Sequence, residues 1–255
     1  MAANRLKEKW VLITGATSGI GKACAEQFAE MGCSLVLTGR RKDRLDTLGS
    51  TLLSGSDINI KTFAFDVRDR DACRKAVDEL PGPADILVNN AGLAVGKEPV
   101  DQGHFEDWDR MIDTNIKGLL TMTRLVAPSM RERGSGHIIN IGSVAGHEAY
   151  PGGAVYCATK HAVDAITKST KKDLHGTGVR VSSVSPGLVE TEFSNVRFKG
   201  DSAAADSVYE GMEPLTAGDI AEIVVFTANR PAHVNIVDTL VFPVQQSSST
   251  MVSRT

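Results

Sequence analysis

The sequence predicts an α/β protein, a single domain over residues 1–255, with a doubly wound parallel sheet of about seven strands and helices on both faces. Three observations carry this expectation. Short apolar runs alternate with helical stretches along the whole chain. The first run, Trp10–Thr14, passes through a glycine-rich turn into an amphipathic helix. A length of 255 residues, with 42% hydrophobic and 23% charged, suits one large soluble core.

The amino end lacks the apolar segment of a signal peptide, and no apolar run approaches the roughly 18 residues of a membrane span. The formal net charge of −3, without a long basic run, argues against nucleic acid and anionic membrane as partners. Cys24, Cys33, Cys73 and Cys157 show neither a C-x-x-C pair nor metal-ligand spacing. They read as reduced thiols, so no metal is expected and the expected compartment is the cytoplasm. Residues 245–255 are polar and read as a frayed tail.

Trp10–Thr14 is apolar enough for a buried strand. The turn that follows reads Gly15-Ala16-Thr17-Ser18-Gly19-Ile20-Gly21, and a helix is predicted from Lys22 to Met31. Strand, glycine turn and helix together form the setting in which backbone can approach a dinucleotide's pyrophosphate and helix N–H groups can meet it. The spacing G-x-x-x-G-x-G departs from the G-x-G-x-x-G fingerprint. Taken alone, any tight strand-to-helix turn uses such glycines.

Ser34–Thr38 reads as the second strand and leads to Gly39-Arg40-Arg41, with a helix predicted over Asp43–Leu53. Cations at a helix amino end oppose its dipole, so the two arginines ask for an anion. A ribose 2′-phosphate fits that demand, which favours NADP over NAD. Ile60–Phe65 alternates as a third strand and ends at Asp66 and Val67. Asp66 can accept from an adenine amino group or cap the next helix, Asp69–Leu80, and the two roles are compatible.

Ala84–Gly92 is a fourth strand running into a turn; Asn89 and Asn90 offer amides to neighbouring strands and to the adenosine side. Two helices follow, near His104–Asn115 and Lys117–Arg133, with Asn115 at the junction. An amide there can cap a helix or hold a water. His137–Ile141 is the fifth strand, and Gly178–Val184 the sixth, ending at Pro186-Gly187. A long Ser/Ala-rich connection with a basic-aromatic stretch from Phe193 to Asp201 reads as a lid. A helix over Thr216–Ala228 and a strand at Thr239–Phe242 complete the pattern.

Between the fifth and sixth strands lies the stretch that carries chemistry. Tyr156 and Lys160 are four apart on a helix predicted from Ala154 to about His175, hence on one face. Ser143 sits at a strand's carboxyl end, where open α/β sheets bind ligands. A free phenol has a pKa of about 10, and bringing it to neutrality requires roughly 4 kcal/mol. An ammonium about 5 Å away at an effective dielectric of about 20 supplies roughly 3 kcal/mol. Such a trio suits proton transfer at an alcohol oxygen while hydride moves at its carbon, with Ser143 holding that oxygen.

Residues Thr14–Gly21, Asn89–Gly92, Asn115, Ser143, Tyr156–Lys160 and Pro186-Gly187 stand in the order of the short-chain dehydrogenases/reductases, and the chain resembles that family from Lys9 to Val244. The resemblance implies a Rossmann-fold oxidoreductase of carbonyls and alcohols. It implies Tyr156 as general acid/base, Lys160 as the group that lowers its pKa and holds the nicotinamide ribose, and Asn115 as support for a water in the proton relay. It places Val189 and Thr191 at the carboxamide and implies a homotetramer built on helices around Asn115 and Tyr156.

A narrower resemblance, carried by Thr38–Arg41, Met111–Thr114, Thr191–Asp201 and Pro231–Asn235, points to the NADP-dependent 3-hydroxy acid dehydrogenases. These act on short substrates such as L-serine, L-allo-threonine and 3-hydroxypropionate. Arg197 or Lys199 on the lid is the candidate partner for such an acid's carboxylate. Two rival readings stand beside this one. The first is a carbonyl reductase of bulkier ketones or alcohols. The second is a non-catalytic NADPH-binding regulator, which the presence of both Tyr156 and Lys160 disfavours.

Overall fold

A computed structural model describes residues 3–255. Seven parallel strands form one sheet in the order β3-β2-β1-β4-β5-β6-β7. They are β1 (Trp10–Ile13), β2 (Ser34–Gly39), β3 (Ile60–Ala64), β4 (Ile86–Asn89), β5 (Gly136–Ile141), β6 (Val179–Pro186) and β7 (Asp238–Val241). The inner strands β1, β2 and β4 are buried on both faces, which explains their nearly continuous apolar runs, whereas the edge strands β3 and β7 carry exposed positions. Successive side chains point to opposite faces. Val11 and Ile13 of β1 enter one core with Leu35 and Leu37 of β2. Leu12 and Val36 enter the other.

The first core is roofed by α1 (Gly19–Glu30), α2 (Lys42–Ser54) and α9 (Ala217–Ala228), through Cys24, Phe28, Leu45, Ile220 and Val224. The second packs against α3 (Arg70–Asp78) and α5 (Leu119–Arg133), through Cys73, Met122, Val126 and Met130. Strand order reverses direction between β1 and β4, so their carboxyl ends open a crevice where ligands bind in such sheets.

Several expectations need correction. The helix expected from Lys22 begins at Gly19: Gly19, Ile20 and Gly21 form its first turn. The two helices near Asn115 do not break there. A π-helical stretch, Asp113–Gly118, joins α4 (Phe105–Ile112) to α5. Asp66 does not cap the third helix; Asp69 does, accepting from the N–H groups of Asp71 and Ala72. The long connection after β6 contains two short helices, α7 (Glu192–Arg197) and α8 (Ser202–Ser207).

The carboxyl segment is held rather than frayed. Ser247 donates to the Met251 carbonyl and Ser253 to that of Gln245, around a bridge between Gln246 and Val252. The Gln246 side chain is buried and accepts from Leu188 N–H at 2.9 Å. Polar composition suggested solvent, whereas these amides and hydroxyls are used in turn contacts.

All four cysteines are free and buried. Burial pushes the Cys24 and Cys33 thiols up to about 12, which makes them poor nucleophiles. No helix among the described residues is long and apolar enough to cross a membrane.

Candidate active site

A cleft of about 740 Å³ follows the carboxyl edge of the sheet from the glycine turn to the lid. Its near end begins at β1. Gly15 and Gly19 adopt left-handed backbone with φ of +68° and +51°, which a side chain would strain. Ser18 precedes α1 without a capping side-chain bond, and the first turn carries no acid. The helix therefore presents free N–H groups and positive dipole to the cleft. Asn90 Nδ2 donates to the carbonyls of Thr14 and Gly15 and so fastens β4 to this turn.

Of the residues singled out for a cofactor, Gly15, Thr17, Ser18, Gly19, Ile20, Arg40, Arg41, Asp66, Val67, Asn90, Pro186, Val189 and Thr191 all line the cleft. Gly21 lies behind it, where a Cβ would strike the Gly15 carbonyl and the Asn90 amide. Arg40 and Arg41 differ. Arg41 donates from Nε and Nη2 to Thr17 Oγ1, from Nη2 to Ser18 Oγ at 2.8 Å, and from Nη1 to Glu192 at 2.9 Å. Arg40 is half exposed and only 3.9 Å from Asp66. Asp66 is held mainly by Arg68, whose backbone and guanidinium both donate to it. Glycine cradle, free helix end and an available guanidinium together fit an NADP molecule.

The reacting end gathers around α6 (Ala154–Asp173) and the short turn Val144–Gly146 after β5. Gly146 lets them touch, since a Cβ there would lie 2.6 Å from the Lys160 carbonyl. Lys160 Nζ donates to the Ile141 carbonyl at 2.9 Å and stands 5.9 Å from the centre of the Tyr156 ring. Ser143, Tyr156 and Lys160 are all buried. Burial pulls the Lys160 ammonium down to about 8. Burial, with Tyr150 alongside, pushes the Tyr156 phenol up, while Ser143 and Arg197 favour its ionised form.

Asn115 is placed by the π-helical stretch. Its Oδ1 accepts from Leu93 N–H at 2.9 Å, and its Nδ2 donates to the Leu93 carbonyl and to Thr159 Oγ1. Thr159 in turn donates to the Tyr156 carbonyl at 2.7 Å. Both N–H groups of the amide are thus occupied by protein.

Structure separates the two lid cations. Lys199 points away and pairs with Asp107 at 2.7 Å, so it does not line the cleft. The expectation that Lys199 meets a substrate is corrected: it lies just past the end of α7 in left-handed backbone, φ 55°, with its ammonium taken by Asp107. Arg197 stays inside. Its Nη1 donates to Tyr150 Oη at 2.9 Å, and its guanidinium lies 5.3 Å from the Tyr150 ring centre and 5.9 Å from that of Tyr156. Its Nε and Nη2 are buried without a partner among the described residues. Sequence reasoning missed Tyr150, Phe193, whose ring centre is 5.7 Å from that of Tyr156, and the tail residues Thr250 and Val252, which line the cleft. None lies in a pattern readable from local spacing.

Residues 9–202 match the family described as short chain dehydrogenase. The chain is 49% identical over 243 residues to sulfoacetaldehyde reductase 2 of Chromohalobacter salexigens, covering 94% of this chain and 96% of the relative. It is 50% identical over 241 residues to an NADP-dependent 3-hydroxy acid dehydrogenase of Salmonella typhi, covering 93% and 96%. Among solved structures, the closed form of a serine dehydrogenase complexed with NADP+ superposes with a TM-score of 0.90 at 47% identity, covering 96% of this chain and 99% of that one.

Proposed function

The chain belongs to the short chain dehydrogenase family, and from that premise we propose an NADP-dependent oxidoreductase of short 3-hydroxy acids and their 3-oxo counterparts. Arg197 is the observation that carries the substrate class: a buried guanidinium with two unpartnered nitrogens beside the Tyr156 ring. A buried cation of this kind calls for an anionic partner. A serine, a 3-hydroxy acid and sulfoacetaldehyde each carry an acid group a short way from the reacting carbon, which supports the same reading.

Tyr156 acts as the general acid/base, with its phenolic oxygen exchanging the proton of the substrate's hydroxyl. Ser143 holds that oxygen and favours the ionised phenol. Lys160, fixed by the Ile141 carbonyl, adds positive charge and donates to the nicotinamide ribose. Asn115 fixes Leu93 and α6 and has no N–H left, so any water it supports in the relay would have to donate to its oxygen or bind nearby backbone. When bound, NADP supplies or accepts the hydride and, oxidised, adds positive charge. Arg40, with Arg41 beside it, would hold the 2′-phosphate, Asp66 and Val67 the adenine, and Val189 and Thr191 the carboxamide, all of them lining the cleft. A 3-oxo acid formed from a 2-amino-3-hydroxy acid can lose CO₂ without further help from the protein.

The working unit in this reading is a cytoplasmic homotetramer of a single-domain chain. Exposed apolar side chains on α4, α5 and α9, namely Phe105, Leu120 and Phe226, support contacts between copies, which sedimentation of the purified protein tests. The substrate reading is tested by NADPH absorbance with L-serine, L-allo-threonine, 3-hydroxypropionate, sulfoacetaldehyde and a neutral secondary alcohol. Arg197→Gln raises KM for the acids by about 10- to 100-fold, the size of a lost charge-assisted bond. Equal loss with the neutral alcohol, or turnover of that alcohol alone, overturns the acid-reading role and leaves the broader carbonyl reductase.

A further inference from the structure

Glu192 is the first residue of the lid helix α7, directly after Thr191. Its two carboxylate oxygens go to different arginines: Oε2 accepts from Arg41 Nη1 at 2.9 Å and Oε1 from Arg44 Nη1 at 2.6 Å. Arg41 is anchored on its other side to Thr17 and Ser18 of the glycine turn. The chain of contacts runs from the glycine turn through Arg41 to the lid, joining the two banks of the cleft. Arg44 does not line the cleft, so its bond to Glu192 serves the lid and not a nucleotide.

Four of the five N–H groups of Arg41 are engaged in this way, three of them on Thr17 and Ser18. Arg40 has no such short bond. The pair therefore divides its work. Arg40 is the guanidinium free for the 2′-phosphate, whereas Arg41 spends three donors on the glycine turn and one on the lid. The hydrogen bonds from Arg41 and Arg44 also hold the Glu192 carboxyl below the usual carboxylate range, so it stays charged at neutral pH.

We propose that Glu192 is a cofactor-retaining residue, whose carboxylate straps the lid to the Arg41–Arg44 wall across the mouth of the NADP cleft. This rests on the placement of the cofactor in that cleft. NADPH bound beneath the strap leaves only when both ion pairs open, so strap strength enters the release rate. The pairs are partly exposed, which makes the effect moderate and sensitive to salt.

The test is stopped-flow release of NADPH from the wild-type protein, Glu192→Gln, Arg44→Gln and the double variant. Glu192→Gln speeds release about three- to tenfold and Arg44→Gln about two- to fivefold, as expected for the loss of two and of one partly exposed pair. The double variant is no faster than the quicker single one, and 1 M salt brings the wild type toward the variants. Wild-type release rates in both single variants overturn the strap. So does tighter retention in Glu192→Gln, which would make the carboxylate a competitor of the phosphate. Arg40→Gln separates the two layers of the reading. Unchanged NADPH affinity there overturns the placement and the strap with it, whereas weakened affinity beside unchanged release in the Glu192 and Arg44 variants overturns the strap alone.

Discussion

Lys160 Nζ lies 5.9 Å from the centre of the Tyr156 ring, one turn along the same helix. An ammonium held on the same helix face as the phenol favours the phenolate through its charge. Because the phenol is raised by burial, oxidation gains as pH rises toward its ionisation and reduction gains as pH falls. Tyr156→Phe lowers kcat by about 10²- to 10⁴-fold, the range for a lost general acid/base. The pH dependence of alcohol oxidation also disappears from whatever turnover remains. Retention of that dependence in the phenylalanine variant would assign the proton to another group.

The same lysine costs stability. Its pKa falls from 10.5 in the open chain to about 8 when buried, so both states are protonated below pH 8 and the folded state bears the full penalty there. As pH rises from 8 to 10.5 the folded state releases its proton first, and the penalty fades. A shift of this size is worth about 3 kcal/mol. Lys160→Met is therefore inactive yet more stable than the wild type at pH 7, and the gap closes toward pH 10. Denaturant midpoints at pH 7 and 10 check this, and a gap independent of pH would remove the ammonium as its cause.

Cofactor choice is assigned to Arg40. With its guanidinium free of short hydrogen bonds, Arg40→Gln removes an interaction that NADP makes and NAD lacks. The expected result is a fall of about 10- to 100-fold in kcat/KM with NADP, the size of a charge-assisted bond, and little change with NAD. Arg41→Gln lowers both, because it also loosens Thr17, Ser18 and Glu192. Equal losses with the two cofactors in Arg40→Gln would count against the assignment.

Much of this fold and site is legible in the sequence, for definite reasons. Parallel strands buried on both faces leave continuous apolar runs such as Trp10–Thr14, and a helix writes neighbours at a spacing of four, as in Tyr156 and Lys160. What stayed hidden depends on where irregular backbone points a side chain. Arg197 and Lys199 are two residues apart and chemically alike, yet one ends beneath the lid and the other on Asp107. The π-helical turn at Asn115 and the folded tail are equally silent. Each is tied to a distant segment by a side-chain-to-backbone bond, Asn115 to Leu93 and Gln246 to Leu188.

Buried His137 makes the fold sensitive to acid. Its Nε2 is 2.8 Å from Ser182 Oγ, and that hydroxyl donates to the Ile236 carbonyl, so the ring must donate from Nε2. Nδ1 is then a bare acceptor, buried without a partner among the described residues. Burial, with Arg180 nearby, holds the ring well below its ordinary pKa of 6.5. Below that pH the unfolded chain takes up a proton that the folded one refuses, so stability falls as pH drops. From pH 6.5 to 5 this one group therefore lowers stability progressively. His137→Gln, which keeps a donor to Ser182 and has no such titration, loses correspondingly less over the same interval. Urea midpoints at the two pH values measure the difference, and parallel losses in the wild type and variant would place the acid sensitivity elsewhere.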